Sequence, residues 1–267
     1  MQQIISVLAN AGGVGKTTLS IHVGYEMARR GHRVALIDLD QQTSMDVFLS
    51  LPAQLRAETS VAQAFDKKFS GEWHLTTPYD DVDRLQVCQG HPALREVSDL
   101  LTGRKRREYC LSDRFKAFPL PHDLILIDCP ATLDMLCLNA LAASTGVLIP
   151  MQMEAKATAG GAGLIEWIIE SSIELQLSPR PPIVGIVPSQ VDRRLSIHRH
   201  YLAEIIGMGP RLNIEVFPPV RDTTAFKHAS AAGLPLPRYQ ASHEACRDFD
   251  TVCDRVEGLI RTAAIAA

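Results

Sequence analysis

The segment Gly12-Gly13-Val14-Gly15-Lys16-Thr17 constrains this chain more than any other feature. It follows an apolar run, Ile4-Ile5-Ser6-Val7-Leu8, that reads as a buried strand, and it precedes a helical pattern from Leu19 to Arg30 that Gly31 stops. Glycines let the backbone turn so that successive N–H groups face one anion, and the helix that follows adds the positive end of its dipole. In such a loop Lys16 reaches the β- and γ-phosphates of a nucleotide and the Thr17 hydroxyl ligates Mg²⁺. The expected phosphate cradle is Ala11, Gly12, Gly13, Val14, Gly15, Lys16, Thr17 and Thr18. A strand before, a helix after and Lys-Thr-Thr in place distinguish it from a glycine-rich turn with a chance lysine.

The rest of the chain repeats the strand–helix alternation. Val34-Ala35-Leu36-Ile37 is a second buried strand ending at Asp38-Leu39-Asp40, and Leu124-Ile125-Leu126-Ile127 a third ending at Asp128. Val147–Pro150 and Ile183–Val187 are two more, with a helix from Gly163 to Leu175 between them. Residues 41–120 are less regular, with a helix over Val61–Phe69, a strand Leu85–Val87 and a helix from Ala93 to Leu101. A short strand at Ile214–Phe217 and a helix from His243 to Ala263 complete the pattern. The order predicts an α/β fold with a doubly wound, mostly parallel sheet flanked by helices. No repeat or low-complexity linker divides the 267 residues, so one domain over 1–267 is expected.

Ligands of open parallel sheets bind outside the carboxyl ends of the strands, where Asp38, Asp40 and Asp128 stand. Three carboxylates beside a phosphate loop suit a magnesium site and a positioned water. Taken singly, each aspartate also reads as a helix cap or turn former.

Composition narrows the classes. No apolar run reaches the roughly 18–20 residues that span a bilayer, and the start, Met1-Gln2-Gln3-Ile4-Ile5, lacks a charged leader, so a cytosolic protein is expected. Six cysteines are scattered without a Cys-x-x-Cys pair, which points to free thiols rather than a metal centre. A net charge of −3 gives no bulk attraction to nucleic acid, so any such binding needs a local basic patch.

The segments Asn10 to Thr18, Asp38-Leu39-Asp40-Gln41-Gln42 and Asp123 to Pro130 resemble the ParA/MinD superfamily of deviant-Walker ATPases. The resemblance extends through Leu138–Leu141 and Ile149-Pro150, and more weakly to Arg221 and Ala232–Pro235, with 45–120 the least matched. It implies one doubly wound sheet, ATP and Mg²⁺ as ligands, and a homodimer that sandwiches ATP. It also implies Lys16 on phosphate, Thr17 on the metal, Asp40 orienting the attacking water, Asp128 supporting the metal's water shell, and Asp38 supporting the loop and metal region. By the same resemblance, Pro218-Pro219-Val220 brackets the adenine and Pro188-Ser189-Gln190-Val191-Asp192 contacts its edge.

One departure stands out. The superfamily places a second lysine directly before Gly-Gly, reaching the partner's nucleotide, and here that position is Ala11. Lys156, beyond the strand that ends near Pro150, is the candidate substitute cation; as a bland alternative it is a solvated surface lysine. The combination resembles the carboxysome-positioning McdA subgroup.

ParA-like proteins bind DNA non-specifically through spread cations. Arg193, Arg194, Arg199, Arg221, Lys227, Arg238, Arg247 and Arg255 are the candidates here, Arg193, Arg194, Arg221 and Lys227 foremost, with a solvated basic face as the alternative. The run Arg104-Lys105-Arg106-Arg107 reads as a phosphate-binding turn, a partner contact or a solvated linker. The C-terminal helix balances its charges and fits core packing (Phe249, Val252, Val256, Leu259, Ile260) better than a membrane surface.

The expected function is a cytoplasmic, nucleoid-associated ATPase whose ATP dimer binds DNA. A cargo adaptor then stimulates hydrolysis, distributing carboxysomes or, second, plasmids or chromosomes. Two rivals remain: an ATP-dependent small-molecule synthetase on the same scaffold, as in dethiobiotin and cobyrinate synthetases, and a nucleotide-gated scaffold with negligible turnover.

Overall fold

The apolar runs form the strands of one parallel sheet because both of its faces are covered, which favours continuous rather than alternating hydrophobicity. The structure is a computed structural model that describes residues 2–53 and 56–265, apart from the side chains of 98, 156–159 and 265. Among the described residues six strands, β1 (Gln3–Val7), β2 (Val34–Asp38), β3 (Leu85–Cys88), β4 (Leu124–Asp128), β5 (Gly146–Gln152) and β6 (Ile183–Ser189), pair in the order β3-β2-β4-β1-β5-β6. Every pairing is parallel. The chain leaves β1 towards β2 on one side and later fills β5 and β6 on the other. That reversal beside β1 creates the crevice where such sheets bind ligands.

Helices α1 (Lys16–Arg29), α2 (Ser44–Phe48), α3 (Val97–Leu101), α4 (Cys110–Ala117), α5 (Met135–Ala143), α6 (Ala155–Glu174), α7 (Ser196–Leu212), α8 (Thr224–Ala231), α9 (Leu236–Tyr239) and α10 (Asp250–Ile265) flank it. One apolar layer packs α3–α6 against one face, built on Leu8, Ile37, Ile125, Ile127 and Ile149. The other packs α1 and α10 against Ile5, Val7, Leu36, Leu126 and Leu148. The face expected of the last helix is buried there: Phe249, Val252, Val256 and Ile260 are at most 8% exposed, and Leu259 packs beside them.

Several boundaries differ from the sequence expectation. The helix expected over Val61–Phe69 is a 3₁₀ segment, Val61–Phe65, capped by Ser60, and the chain then turns through Gly71 at φ 96°. The helix expected from Ala93 starts as a 3₁₀ turn, Pro92–Glu96, before α3. The expected strand Ile214–Phe217 is reduced to a single parallel bridge, Ile186 with Val216. Pro218 and Pro219 follow at once and offer no N–H to extend a ladder. Helix α6 begins eight residues earlier than expected, at Ala155 rather than Gly163. Its glycines delay the sequence signal, yet they answer to packing: a Cβ on Gly161 would meet Met151 Cε at 2.1 Å and one on Gly160 would meet Asn10 Nδ2 at 2.9 Å. Helices α2, α4, α5, α7, α8 and α9 have no counterpart in the sequence expectation. The six cysteines are free thiols.

The basic run is tied to its own chain. Arg104 donates to the Phe65 carbonyl, Arg106 pairs with Asp113 at 2.9 Å and Arg107 with Glu108 at 2.9 Å. These bonds anchor the run locally, and Arg104 pins the irregular 61–69 segment, while Lys105, Arg106 and Arg107 stay exposed to solvent.

Candidate functional site

The loop between β1 and α1 turns because Gly13 (φ 75°) and Gly15 (φ 91°) adopt left-handed conformations that a side chain disfavours. Gly15 is the N-cap of α1, so the positive end of that helix opens directly onto the loop. Lys16 is 7% exposed, and its ammonium donates to the Ala11 carbonyl at 3.0 Å across the loop. A Cβ built on Gly12 or Gly13 would meet nothing within 4 Å, leaving room for an anion above the backbone. A cavity of about 780 Å³ lies over it, lined by Gly12, Gly13, Gly15, Lys16, Thr17 and Thr18 from the loop and α1. Asp40 joins them from the loop two residues past β2.

The aspartates have separate positions. Asp38 and Asp128 are register partners at the ends of β2 and β4. Asp128 accepts from the Thr17 hydroxyl at 2.7 Å and from Ser20 at 3.3 Å. Asp38 is fully buried; one carboxyl oxygen accepts the Asp40 N–H at 2.9 Å and the other has no hydrogen-bond partner. Burial first, then the neighbouring Asp128, pushes the Asp38 carboxyl well above the carboxylate range. Burial likewise raises Asp128, opposed by its bond from Thr17. Asp38 therefore stands behind Asp40 and fixes its backbone, whereas Asp40 faces the cavity, with one carboxyl oxygen accepting the Gln42 N–H at 2.9 Å.

These groups fit a nucleotide with Mg²⁺. Among the described residues no cluster of three His, Cys, Asp or Glu side chains could cage a metal alone. A hydroxyl beside a carboxylate, facing an anion-binding loop, matches an ion that keeps its waters and takes phosphate oxygens as ligands. The raised carboxyls of Asp38 and Asp128 are what a nearby divalent cation would relieve.

The other expected residues divide. Val220 lines the cavity; Pro188, buried in β6, and Pro218 and Pro219 do not. Val14 turns its buried side chain inward. Lys156 lies in the first turn of α6, and its side chain falls outside the described residues. Arg193 and Arg194 sit in the exposed loop after β6, and a backbone bridge from Val191 to Arg221 brings Arg221 alongside. Two members of this basic group are already engaged. Arg194 pairs with Asp192 at 2.8 Å. Arg221 grips Asp248 through two nitrogens, at 2.8 and 2.9 Å, and also pairs with Glu244. Lys227, on α8, lines the cavity wall and is exposed.

Two groups have contacts that sequence reading did not assign, although Ser189 and Gln190 fall in the segment that the resemblance sets against the adenine edge. Ser189 donates to the Val14 carbonyl at 2.8 Å, and Gln190 donates to the Gly13 carbonyl. Gln152 reaches the same carbonyl at 3.4 Å and bonds Gln190 at 2.9 Å. Beyond the resemblance of the Pro188–Asp192 segment, their sequence signal is their place at the carboxyl ends of β5 and β6. The second group surrounds His22, one turn into α1. Its ring bonds the Thr18 carbonyl at 2.7 Å, accepts the Leu236 N–H at 3.0 Å and stacks on Phe249 at 4.9 Å between ring centroids. Phe48 and Phe226 meet it edge-on, and all three phenyl rings also line the cavity.

Comparison with known proteins agrees with this geometry. A family model described as an AAA domain matches residues 2–178. The chromosome partitioning protein ParA of Caulobacter vibrioides is 30% identical over 205 residues, 76% of this chain and 75% of that protein. An apo structure of Cyanothece McdA shares the fold with a TM-score of 0.84 over 96% of this chain and all of that one, at 17% identity. Cobyrinic acid a,c-diamide synthase from Mycobacterium smegmatis, with bound ADP and magnesium, is 25% identical, with a TM-score of 0.73 over 91% of this chain and 98% of its own. With its glycine loop, Lys16, Thr17 and strand-end aspartates set on a doubly wound parallel sheet, the chain belongs to the ParA/MinD-like deviant-Walker ATPases.

Proposed function

We propose that the chain hydrolyses ATP and uses the cycle to position cargo on DNA. The observation that carries this reading is the convergence of Lys16, Thr17 and Asp40 on one cavity, with Asp128 holding Thr17. Lys16 and the loop N–H groups would bind the β- and γ-phosphates and offset charge as the terminal phosphoryl leaves. Thr17 would ligate Mg²⁺, which supplies charge neutralisation across those phosphates when bound. Asp40, with its backbone fixed by Asp38, would hold the attacking water in line.

ATP closes a homodimer over this face in our reading, and Lys156 stands in for the lysine absent at Ala11. The dimer doubles the cations of the Arg193, Arg194, Arg221 and Lys227 group and so gains weak, salt-sensitive affinity for non-specific DNA. An adaptor protein on the cargo then stimulates hydrolysis and release. Ala11 favours the carboxysome as cargo, and chromosome or plasmid partition is the second reading, favoured by the partitioning relative. No helix among the described residues is long and apolar enough to cross a membrane, and the last helix spends its apolar face on the core.

Binding to non-specific duplex DNA with ATP, with ADP and without nucleotide, at two salt concentrations, tests the reading. ATP-dependent binding that weakens with salt and is lost in Lys156→Ala is expected. Normal binding by that variant would remove Lys156 alone. ATP turnover without DNA binding in any state would turn the assignment towards a small-molecule synthetase; ATP binding with neither would turn it towards a nucleotide-gated scaffold.

A further inference from the structure

A phosphate-binding loop works only if its N–H groups point inward, which requires its carbonyls to point elsewhere. Each outward carbonyl needs a partner, or the peptide can flip and present an oxygen to the phosphate. In this chain two consecutive loop carbonyls are held by two consecutive side chains of a neighbouring strand end. Ser189 donates to Val14 and Gln190 to Gly13. Gln152, at the end of β5, backs them through its contact with Gly13 and its bond to Gln190. Gln190 adopts φ 54°, a left-handed conformation uncommon for a residue with a Cβ. Ser189 is 6% exposed and lies on the wall of the cavity with Gln190.

We infer that Gln190, seconded by Gln152 and Ser189, is a positioning residue for the nucleotide phosphates: it holds the Gly12–Val14 backbone in its anion-binding form. The amide acts through the loop and touches no phosphate. It suits the position because the Gly13 carbonyl can only accept, so Gln190 turns its NH₂ to Gly13 and its carbonyl to the Gln152 NH₂. A carboxylate at 190 would have no proton for Gly13 and would add negative charge beside the phosphates. The inference rests on the nucleotide-binding reading of the loop and adds a residue to it.

The test is competition binding of ATP and of pyrophosphate to the parent chain and to Gln190→Ala, Gln190→Glu and Gln152→Ala, with thermal melts alongside. Pyrophosphate reports the loop without a base. Gln190→Ala should weaken both ligands by a similar factor, about tenfold, the scale of one net hydrogen bond. Gln190→Glu, equal in size, should weaken them at least as much, and Gln152→Ala less, as its longer contact to Gly13 implies. The fraction of binding-competent protein should stay that of the parent, which a folding defect would not allow.

Loss for ATP with pyrophosphate unchanged would mean that Gln190 reads the base, and the inference would fall. Parental affinity for both ligands in Gln190→Ala would overturn it equally. If a variant unfolds, the Gln190→Glu and Gln152→Ala arms decide in its place. A parent chain that binds neither ligand would instead refute the nucleotide reading of the site, a result separable from the others because it appears before any substitution is made.

Discussion

The Thr17 hydroxyl donates to Asp128 Oδ2 at 2.7 Å, linking the first turn of α1 to the end of β4 across 111 residues of chain. The bond orients the hydroxyl oxygen and keeps its lone pairs available to a cation, an outer-shell arrangement of the kind that tunes metal affinity.

Asp128→Asn should therefore raise the Mg²⁺ concentration needed for ATP binding by roughly 10–100-fold, the usual range for outer-shell partners. Thr17→Ala, which removes the ligand atom, should do so at least as strongly. A Mg²⁺ titration of nucleotide binding checks both, and unchanged Mg²⁺ dependence in Asp128→Asn would take that carboxylate out of the metal's surroundings.

Asp40→Ala should retain ATP binding while turnover falls by about 10²–10⁴-fold, the range for loss of a positioned acid–base group. Gly90 offers an indirect version of the same test. A Cβ there would lie 2.8 Å from the Asp40 carbonyl and 3.1 Å from Asp38 Oδ2. Gly90→Ala should thus displace Asp40, lowering turnover and costing about 1–3 kcal/mol of stability through overpacking. Single-turnover kinetics with a parallel binding assay separates the two effects; undiminished turnover in Asp40→Ala excludes it from positioning the water.

His22 is buried among three phenyl rings, and this desolvation lowers its pKa to about 4, against a smaller upward pull from the Thr18 carbonyl. The folded value lies below the unfolded value of about 6.5, so the unfolded chain binds more protons between them. Its contribution is complete above pH 6.5 and disappears as pH falls towards 4, by about 3 kcal/mol if the whole shift is expressed. Urea unfolding at pH 5 and 7.5 should show His22→Gln with a shallower pH dependence than the parent. Equal slopes would place the acid sensitivity elsewhere.

Arg221 stands in the basic group, yet Asp248, its main partner, has a side chain only 8% exposed. Arg221→Ala leaves that carboxylate buried without its cation, so about 1–3 kcal/mol of stability should be lost. Arg193 is exposed and its side chain forms no ion pair among the described residues, so Arg193→Ala should change melting little while reducing the salt slope of DNA binding by about 1 for each phosphate it neutralises. Chemical melts and a salt series of DNA titrations on the two variants distinguish a structural from a DNA-facing arginine.

Much of the candidate site was legible because its logic is local. A strand, a glycine turn and a helix with Lys16 and Thr17 at its start lie close together in the chain, Asp38 and Asp128 each close an apolar run, and Asp40 follows two residues after the first. The parallel sheet was legible for a similar reason, since strands buried on both faces leave unbroken apolar stretches. Elements failed where the signal was weak or shared. The glycines of α6 masked a helix whose neighbours Asn10 and Met151 require them, and the two prolines after Phe217 left an expected strand as a single bridge.

By itself the sequence determined the loop chemistry, the fold class and which acids end strands. Only the tertiary structure decided which acid faces the cavity: Asp38 and Asp40 are two residues apart, but one is sealed behind Gly90 and the other lines the site. It alone paired Arg221 with Asp248, and it alone brought Gln152 and Gln190 to a carbonyl 139 and 177 residues away. Those partners are set by strand order, which places β5 and β6 beside the loop. Hydrogen bonds between such distant residues leave no periodicity or spacing for a sequence to display.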